Sequence, residues 1–359
     1  MKKLSSFVLS GSCLLLGSVA RAQLPVPPNY VVQPGDTLES IAQKFLGSSN
    51  KWRDLVASNP EITNPHFIKP GSTIKIGQSL SAKRATIQQI FRQVEQMPFP
   101  RPWTPASLGG VLQERDGIRT FEKSSSELQF DNNARMIVSE ESVVFLREAT
   151  PAPENVTRKA IEIRAGQADL DVRPAENGQQ TDIEFHIGDT KGTTKPGATG
   201  KGSSRARRAA DGGSRIMVYD GESEISTGGR TLAVPPGMGI AVTADGKTDG
   251  PEKLLSAPKL ISPNESQDFE FSNPTFNWES SPGATSYTVE VCRDPDCAQL
   301  VDRAAGVHQT RWTPRVLPIG TLYWRVSALS PTGLDSAAST PLKFIIRTYW
   351  RRPVDQSRN

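Results

Sequence analysis

Hydrophobic and polar positions alternate in three different rhythms along this chain. In the first, Tyr30-Val31-Val32 runs into Gln33-Pro34-Gly35, a pattern that predicts a strand ending in a turn. Leu38, Ile41, Ala42 and Phe45 then recur at i, i+3, i+4 and i+7, the single apolar stripe of a helix. Asp36 or Thr37 can cap that helix, with Glu39 three residues after Asp36 as in a capping box, and Gly47 stops it. Trp52, Leu55 and Val56 form a second short stripe, and Asn59-Pro60 ends it because the residue before proline avoids the helical region. Pro70-Gly71 marks a turn and residues 73–76 a closing strand, so the predicted order is strand, helix, helix, strand.

The second rhythm is strand after strand. Residues 127–130 and 134–137 flank the turn residues 131–133, and further strands are predicted at 143–146, 161–164, 168–172, 216–219, 232–234 and 239–242. Ile183, Phe185 and Ile187 alternate with Glu184 and His186, which places His186 on a polar face. Between the two rhythms, Ile87, Ile90, Phe91 and Val94 fit a helical stripe, while Pro98, Pro100, Pro102 and Pro105 forbid regular structure. Residues 191–213 are rich in Gly, Ser and Thr and carry Arg205, Arg207 and Arg208, the composition of a solvated, mobile insertion.

The third rhythm follows Ala257-Pro258 and Ser262-Pro263. Phe276 and Trp278, then Tyr287, Val289 and Val291, then Leu322, Trp324 and Val326, and finally Leu342, Phe344 and Ile346 alternate in short strands between Pro/Gly turns, which suggests a β-sandwich.

Composition sharpens this picture. The chain has 359 residues, 22% charged and 36% hydrophobic, with 29 Gly and 28 Pro, as expected of a turn-rich, soluble, multidomain class. Lys2 and Lys3 precede an apolar stretch, Phe7 to Ala20, and Ala20-Arg21-Ala22 is an A-x-A site, so residues 1–22 read as a secretory signal cleaved before Gln23. A retained anchor is the alternative; Cys13 lies inside the apolar run and Ser10-Gly11-Ser12 is a poor lipobox. Without that leader the formal charge falls from +4 to +1, no basis for nucleic-acid binding. Cys292 and Cys297 then remain. Their spacing is not a redox C-x-x-C and no His is near, so export favours a disulfide, which contributes about 2 kcal/mol in the chain-entropy picture. Because Cys292 alternates with Val289 and Val291, that bond is expected to pin an exposed turn.

Three resemblances follow from these residues. Tyr30-Val31-Val32, Gly35-Asp36-Thr37-Leu38, Ile41-Ala42, Phe45, Trp52, Leu55, Asn59-Pro60, Ile62, Ile68, Pro70-Gly71 and Ile74 resemble the LysM family. The resemblance implies a βααβ fold binding N-acetylglucosamine-containing glycans, chiefly peptidoglycan. Carried over by position, its groove lies at Gly35, Asp36, Thr37 and Leu38 and at Asn59, Pro60, Glu61 and Ile62, with Leu38 and Ile62 covering an N-acetyl methyl. Asp116-Gly117-Ile118-Arg119-Thr120, 126–130, 166–170, 218–222 and 234–239 resemble the FecR family of exported β-rich domains, in which the stretch 86–94 is usually strand. Pro274-Thr275-Phe276-Asn277-Trp278 and the run 320–326 resemble fibronectin type III-like modules.

The expected organisation is therefore a signal peptide (1–22), a LysM-like module (29–77), a linker or first strand (78–104), a FecR-like β domain (105–250), a fibronectin type III-like sandwich (258–347) and a tail (348–359). The class is mainly β. His66, His186 and His308 form no zinc pair at helical spacing, and no G-x-S-x-G elbow appears. No enzyme, metal or cofactor is expected. The expected role is a periplasmic or wall-associated protein bound to peptidoglycan, the alternative being an envelope signalling or stress component acting through a protein partner.

Overall fold

A computed structural model describes residues 29–46, 49, 52–59, 61–76, 85–130, 134–153, 155–173 and 180–348. The leader, its cleavage site, Gly47, Pro60 and the tail beyond residue 348 lie outside these residues. The chain has the expected mainly β architecture, and it divides into two compact units, Met1–Ser79 and Leu80–Asn359.

In the first unit, strand β1 (Asn29–Val31) is followed by helix α1 (Leu38–Leu46), helix α2 (Trp52–Ser58) and strand β2 (Thr73–Lys75). The strands pair antiparallel with Tyr30 opposite Ile74. Leu38, Ile41 and Ala42 of the helical stripe are buried with Val32, Leu46, Leu55, Ile74 and Ile76. Phe45, the fourth stripe position, packs its ring 4.9 Å from that of Tyr30.

The second unit holds two nine-stranded sheets whose inner faces share one core, including Ile87, Leu128, Met136, Leu170 and Ile216 from one sheet and Ile118, Val144, Ile161, Ile183 and Phe185 from the other. Alternation puts one face of each strand into this core. The stretch with helical periodicity is two strands, Ala85–Phe91 and Val94–Met97, one in each sheet. A register shift between Ile87 and Gln89, and Arg92 at φ 59°, break the period of two, so apolar residues three and four apart arise without a helix.

Residues 191–213 are also regular, contrary to their composition. They contribute strands to both sheets, Thr190–Lys195 to one and Gly202–Arg208 to the other. The small side chains suit a narrow interior. A Cβ on Gly192 would fall 2.1 Å from the Phe185 ring, and one on Gly202 would fall 2.6 Å from the Lys195 carbonyl oxygen. Thr194 and Ser204 are buried, with their hydroxyls 2.6 Å apart between the sheets.

Residues 260–346 form a sandwich. Leu260–Ser262, Phe276–Trp278 and Arg311–Trp312 make a three-stranded sheet; Gln267–Phe269, Leu342–Ile346, Gly320–Leu329, Ser286–Cys292 and Leu300–Val307 make a five-stranded one. Phe276, Trp278, Trp324 and Phe344 fill the space between, and Trp324 donates its indole N–H to the Pro263 carbonyl at 3.1 Å.

The second face of the five-stranded sheet is covered too. Ser125 donates to the Ala298 carbonyl at 2.6 Å, Arg92 donates to that of Val301 at 2.9 Å, and Lys123 lies 2.9 Å from Asp302. Cys292 and Cys297 are disulfide-bonded, as expected, yet the bond is buried with Leu300 instead of sitting on an exposed turn. Cys292 lies on the face opposite Val289 and Val291, as the alternation implies, and that face meets protein.

Candidate functional site

The first unit carries the residues expected to touch ligand, and the chain builds them around one turn. Gly35 adopts φ 89°, a left-handed conformation that glycine reaches without steric cost. The turn returns the chain so that Asp36 N–H bonds the Gln33 carbonyl at 3.1 Å. The Asp36 carboxylate accepts from the Gln33 N–H at 2.7 Å and from the Tyr30 hydroxyl at 2.8 Å. That hydrogen bond to a carboxylate raises the Tyr30 pKa above its ordinary value.

Asp36 is therefore not the cap of α1. Thr37 is: its hydroxyl accepts from the Ser40 N–H at 3.1 Å, and the Ser40 hydroxyl accepts from the Thr37 N–H at 2.9 Å. The reciprocal pair is a capping box with serine in place of the predicted Glu39. Above it, the Lys44 ammonium lies 4.9 Å from the Tyr30 ring centroid and 5.0 Å from that of Phe45.

The second loop is anchored by Asn59, which is fully buried. Its amide donates to the carbonyls of Leu55 (2.6 Å) and Lys75 (3.1 Å), and its oxygen accepts from the Lys75 N–H at 2.8 Å. Ile62 N–H closes a turn onto the Asn59 carbonyl at 2.9 Å. Both loops are thus tied to the same two-stranded sheet. Asn59 holds one to β2, while Val32 N–H to Ser72 and Gly71 N–H to Val32 hold the other.

Residues 30–77 match the LysM domain. A 68-residue stretch is 38% identical to the uncharacterized protein YqbP of Bacillus subtilis (strain 168), covering 16% of this chain and 31% of that protein. The chain thus spans about a third of the length of this curated relative. Among solved structures, a candidate anti-sigma factor from Parabacteroides distasonis ATCC 8503 aligns at 14% identity and TM-score 0.29, over 38% of this chain and 59% of the other. A Fn3-like protein from Clostridium thermocellum aligns at 20% identity and TM-score 0.20, over 26% of this chain and 92% of the other.

Within the LysM module the eight expected groove residues separate into kinds. Gly35, Thr37 and Glu61 are exposed, and Asp36 and Ile62 are half-buried. Leu38 and Asn59 are buried as whole residues, 1% and 0% exposed, so they support the groove from beneath and do not line it. Pro60 lies outside the described residues. Leu38 is a core residue in this structure and does not offer its side chain to an N-acetyl methyl. Sequence reasoning passed over Tyr30 and Lys44 as polar groups beside the turn. An aromatic hydroxyl one residue before the strand's end, six before an acidic residue, was the available signal.

Proposed function

We propose that this chain is an exported, non-enzymatic envelope protein that holds peptidoglycan through its LysM module and presents the β unit for interaction. The observation that carries the reading is the match of residues 30–77 to the LysM domain, on a turn whose geometry suits an amide-bearing sugar. The first turn of a helix leaves N–H groups without intrahelical partners. The capping pair takes the Thr37 and Ser40 N–H groups, which leaves that of Glu39 at the start of α1 to meet an N-acetyl carbonyl. The leader-like residues 1–22 and the FecR-like motifs of the β unit support placement in the envelope.

Few buried contacts make one such site weak, on the order of micromolar to millimolar. A polymer with many sites lengthens residence by raising local concentration. Sedimentation with purified, protein-free peptidoglycan tests the reading. The mature chain is expected in the pellet and a chain starting at residue 80 in the supernatant. Equal pelleting of both, or release of muropeptides by the mature chain, would overturn it.

A further inference from the structure

The outward face of the second unit carries a cleft of about 600 Å³ that the LysM reading does not use. Its floor is Phe145, on the strand Val143–Arg147, lying against Gly117 of the strand Gly117–Thr120. A Cβ on Gly117 would come 2.7 Å from the Phe145 ring and 2.9 Å from that of Trp103, so only glycine lets these rings settle on the sheet. One wall is Phe99, 46% exposed although it is a large apolar side chain.

Two arginines lie flat on these rings. The guanidinium of Arg115 sits 3.6 Å from the Phe99 centroid and that of Arg164 sits 3.9 Å from the Phe145 centroid. Arg115 occupies a left-handed conformation, φ 75°, uncommon for a residue with a side chain. The buried carboxylate of Asp116 fixes both halves of that stack. One oxygen accepts from the Phe99 N–H and the other from the Gln113 N–H, each at 2.8 Å. Among the described residues no carboxylate pairs with Arg115. Arg147 lies 3.6 Å from Glu162, and Arg164 grips the same carboxylate with Nε at 3.1 Å and Nη2 at 3.3 Å, so one edge of the Arg164 guanidinium is taken.

A guanidinium stacked on a ring has its N–H edges pre-aimed, and the planar fork of Arg115 is open to match a carboxylate, while Arg164 keeps its Nη1 group for the same ligand. The apolar wall asks for a hydrocarbon group next to that carboxylate. Glu148, at the rim of the same cleft, would repel a phosphate dianion but can accept a hydrogen bond from a peptide N–H. We propose that this cleft binds the carboxyl-terminal end of a peptide: the Arg115 fork takes the α-carboxylate, Arg164 adds its remaining Nη1 donor, and Phe99 takes the adjacent apolar side chain.

Ligand-observed NMR titration of the full mature chain tests this with three probes: N-acetyl-phenylalanine, its carboxamide, and inorganic phosphate. The acid is expected to bind at least about tenfold more tightly than the amide or phosphate, the size of one charge-assisted bidentate contact. Arg115→Gln should remove most of that preference. Arg115→Lys should weaken binding as well, since a point charge lacks the fork. Both residues are exposed replacements, and an unchanged melting temperature shows that the fold is kept. Equal binding of acid and amide, phosphate binding as tight as the acid, or an Arg115→Gln chain that binds the acid unchanged would each overturn the proposal.

Discussion

Arg207 donates to the carboxylate of Asp335 at 2.9 Å, across 128 residues of sequence, and joins the nine-stranded sheet that holds Gly202–Arg208 to the sandwich. Arg207 also donates to the Gly333 carbonyl, and its neighbour on the same strand face, Arg205, grips Asp169 at 2.6 and 2.9 Å while lying 3.8 Å from Asp335. Nearby, Arg303 meets Glu140 at 2.9 Å and Arg325 meets Glu290 at 2.7 Å. Two of the three arginines expected on a mobile loop, Arg205 and Arg207, are therefore cross-links of a junction.

Removing Asp335 leaves two guanidiniums facing each other in a site where its own side chain is only 5% exposed. Breaking a buried pair by deleting one partner costs about 3–5 kcal/mol. Asp335→Ala is expected to lower the unfolding free energy of the second unit, read from urea denaturation, by that amount. A midpoint within experimental error of the parent would show that the junction is not cooperative with the fold.

Acid should loosen the same junction. Burial alone would raise the Glu290 pKa, but Arg325, Arg205 and Arg303 outweigh it and hold the group down at about 2. A carboxylate depressed in the folded state stabilises the fold above its unfolded pKa, near 4.5, and loses that contribution as pH falls through the folded value. Stability should therefore decline between about pH 4.5 and 2, and Glu290→Gln should flatten the decline. Parallel pH profiles for the two chains would refute the assignment.

The disulfide offers a third check. Mature protein, denatured without reductant, is expected to show no free thiol by Ellman titration and two after reduction. Because Cys292 and Cys297 close a short loop, a Cys292→Ala/Cys297→Ala chain should lose about 2 kcal/mol. Asp296, between them, meets Arg135 at 3.1 Å, so the loss should appear in the unfolding of the whole second unit instead of the sandwich alone.

In the LysM module, Asn59 and Thr37 separate structure from binding. Thr37→Ala removes a helix cap and should cost about 1 kcal/mol. Asn59→Ala strips hydrogen bonds from the buried Leu55 carbonyl and the half-buried Lys75 backbone and should cost about 2–3 kcal/mol. Glu61→Ala, at an exposed site, should leave the module's melting temperature unchanged. If Glu61→Ala unfolds the module while Asn59→Ala does not, these roles are reversed.

Local periodicity by itself determined much of this protein. The helical stripe at Leu38, Ile41 and Ala42, the turn at Gly35, and the alternation around Ile183, Trp278 and Trp324 are written in residues near one another, because a helix or a strand chooses its buried face over one or two turns of its own repeat. Tertiary structure decided the rest. The segment 191–213 becomes strand because its small residues fit between two sheets that lie close together, a fact about distant partners such as Phe185. Asp36 caps nothing because the Tyr30 hydroxyl and the Gln33 N–H claim it first. Phe99, Arg115, Phe145 and Arg164 form a cleft only when two strands and two turns bring them together. Which face of a strand is apolar is a local property; what covers the other face depends on residues a hundred positions away.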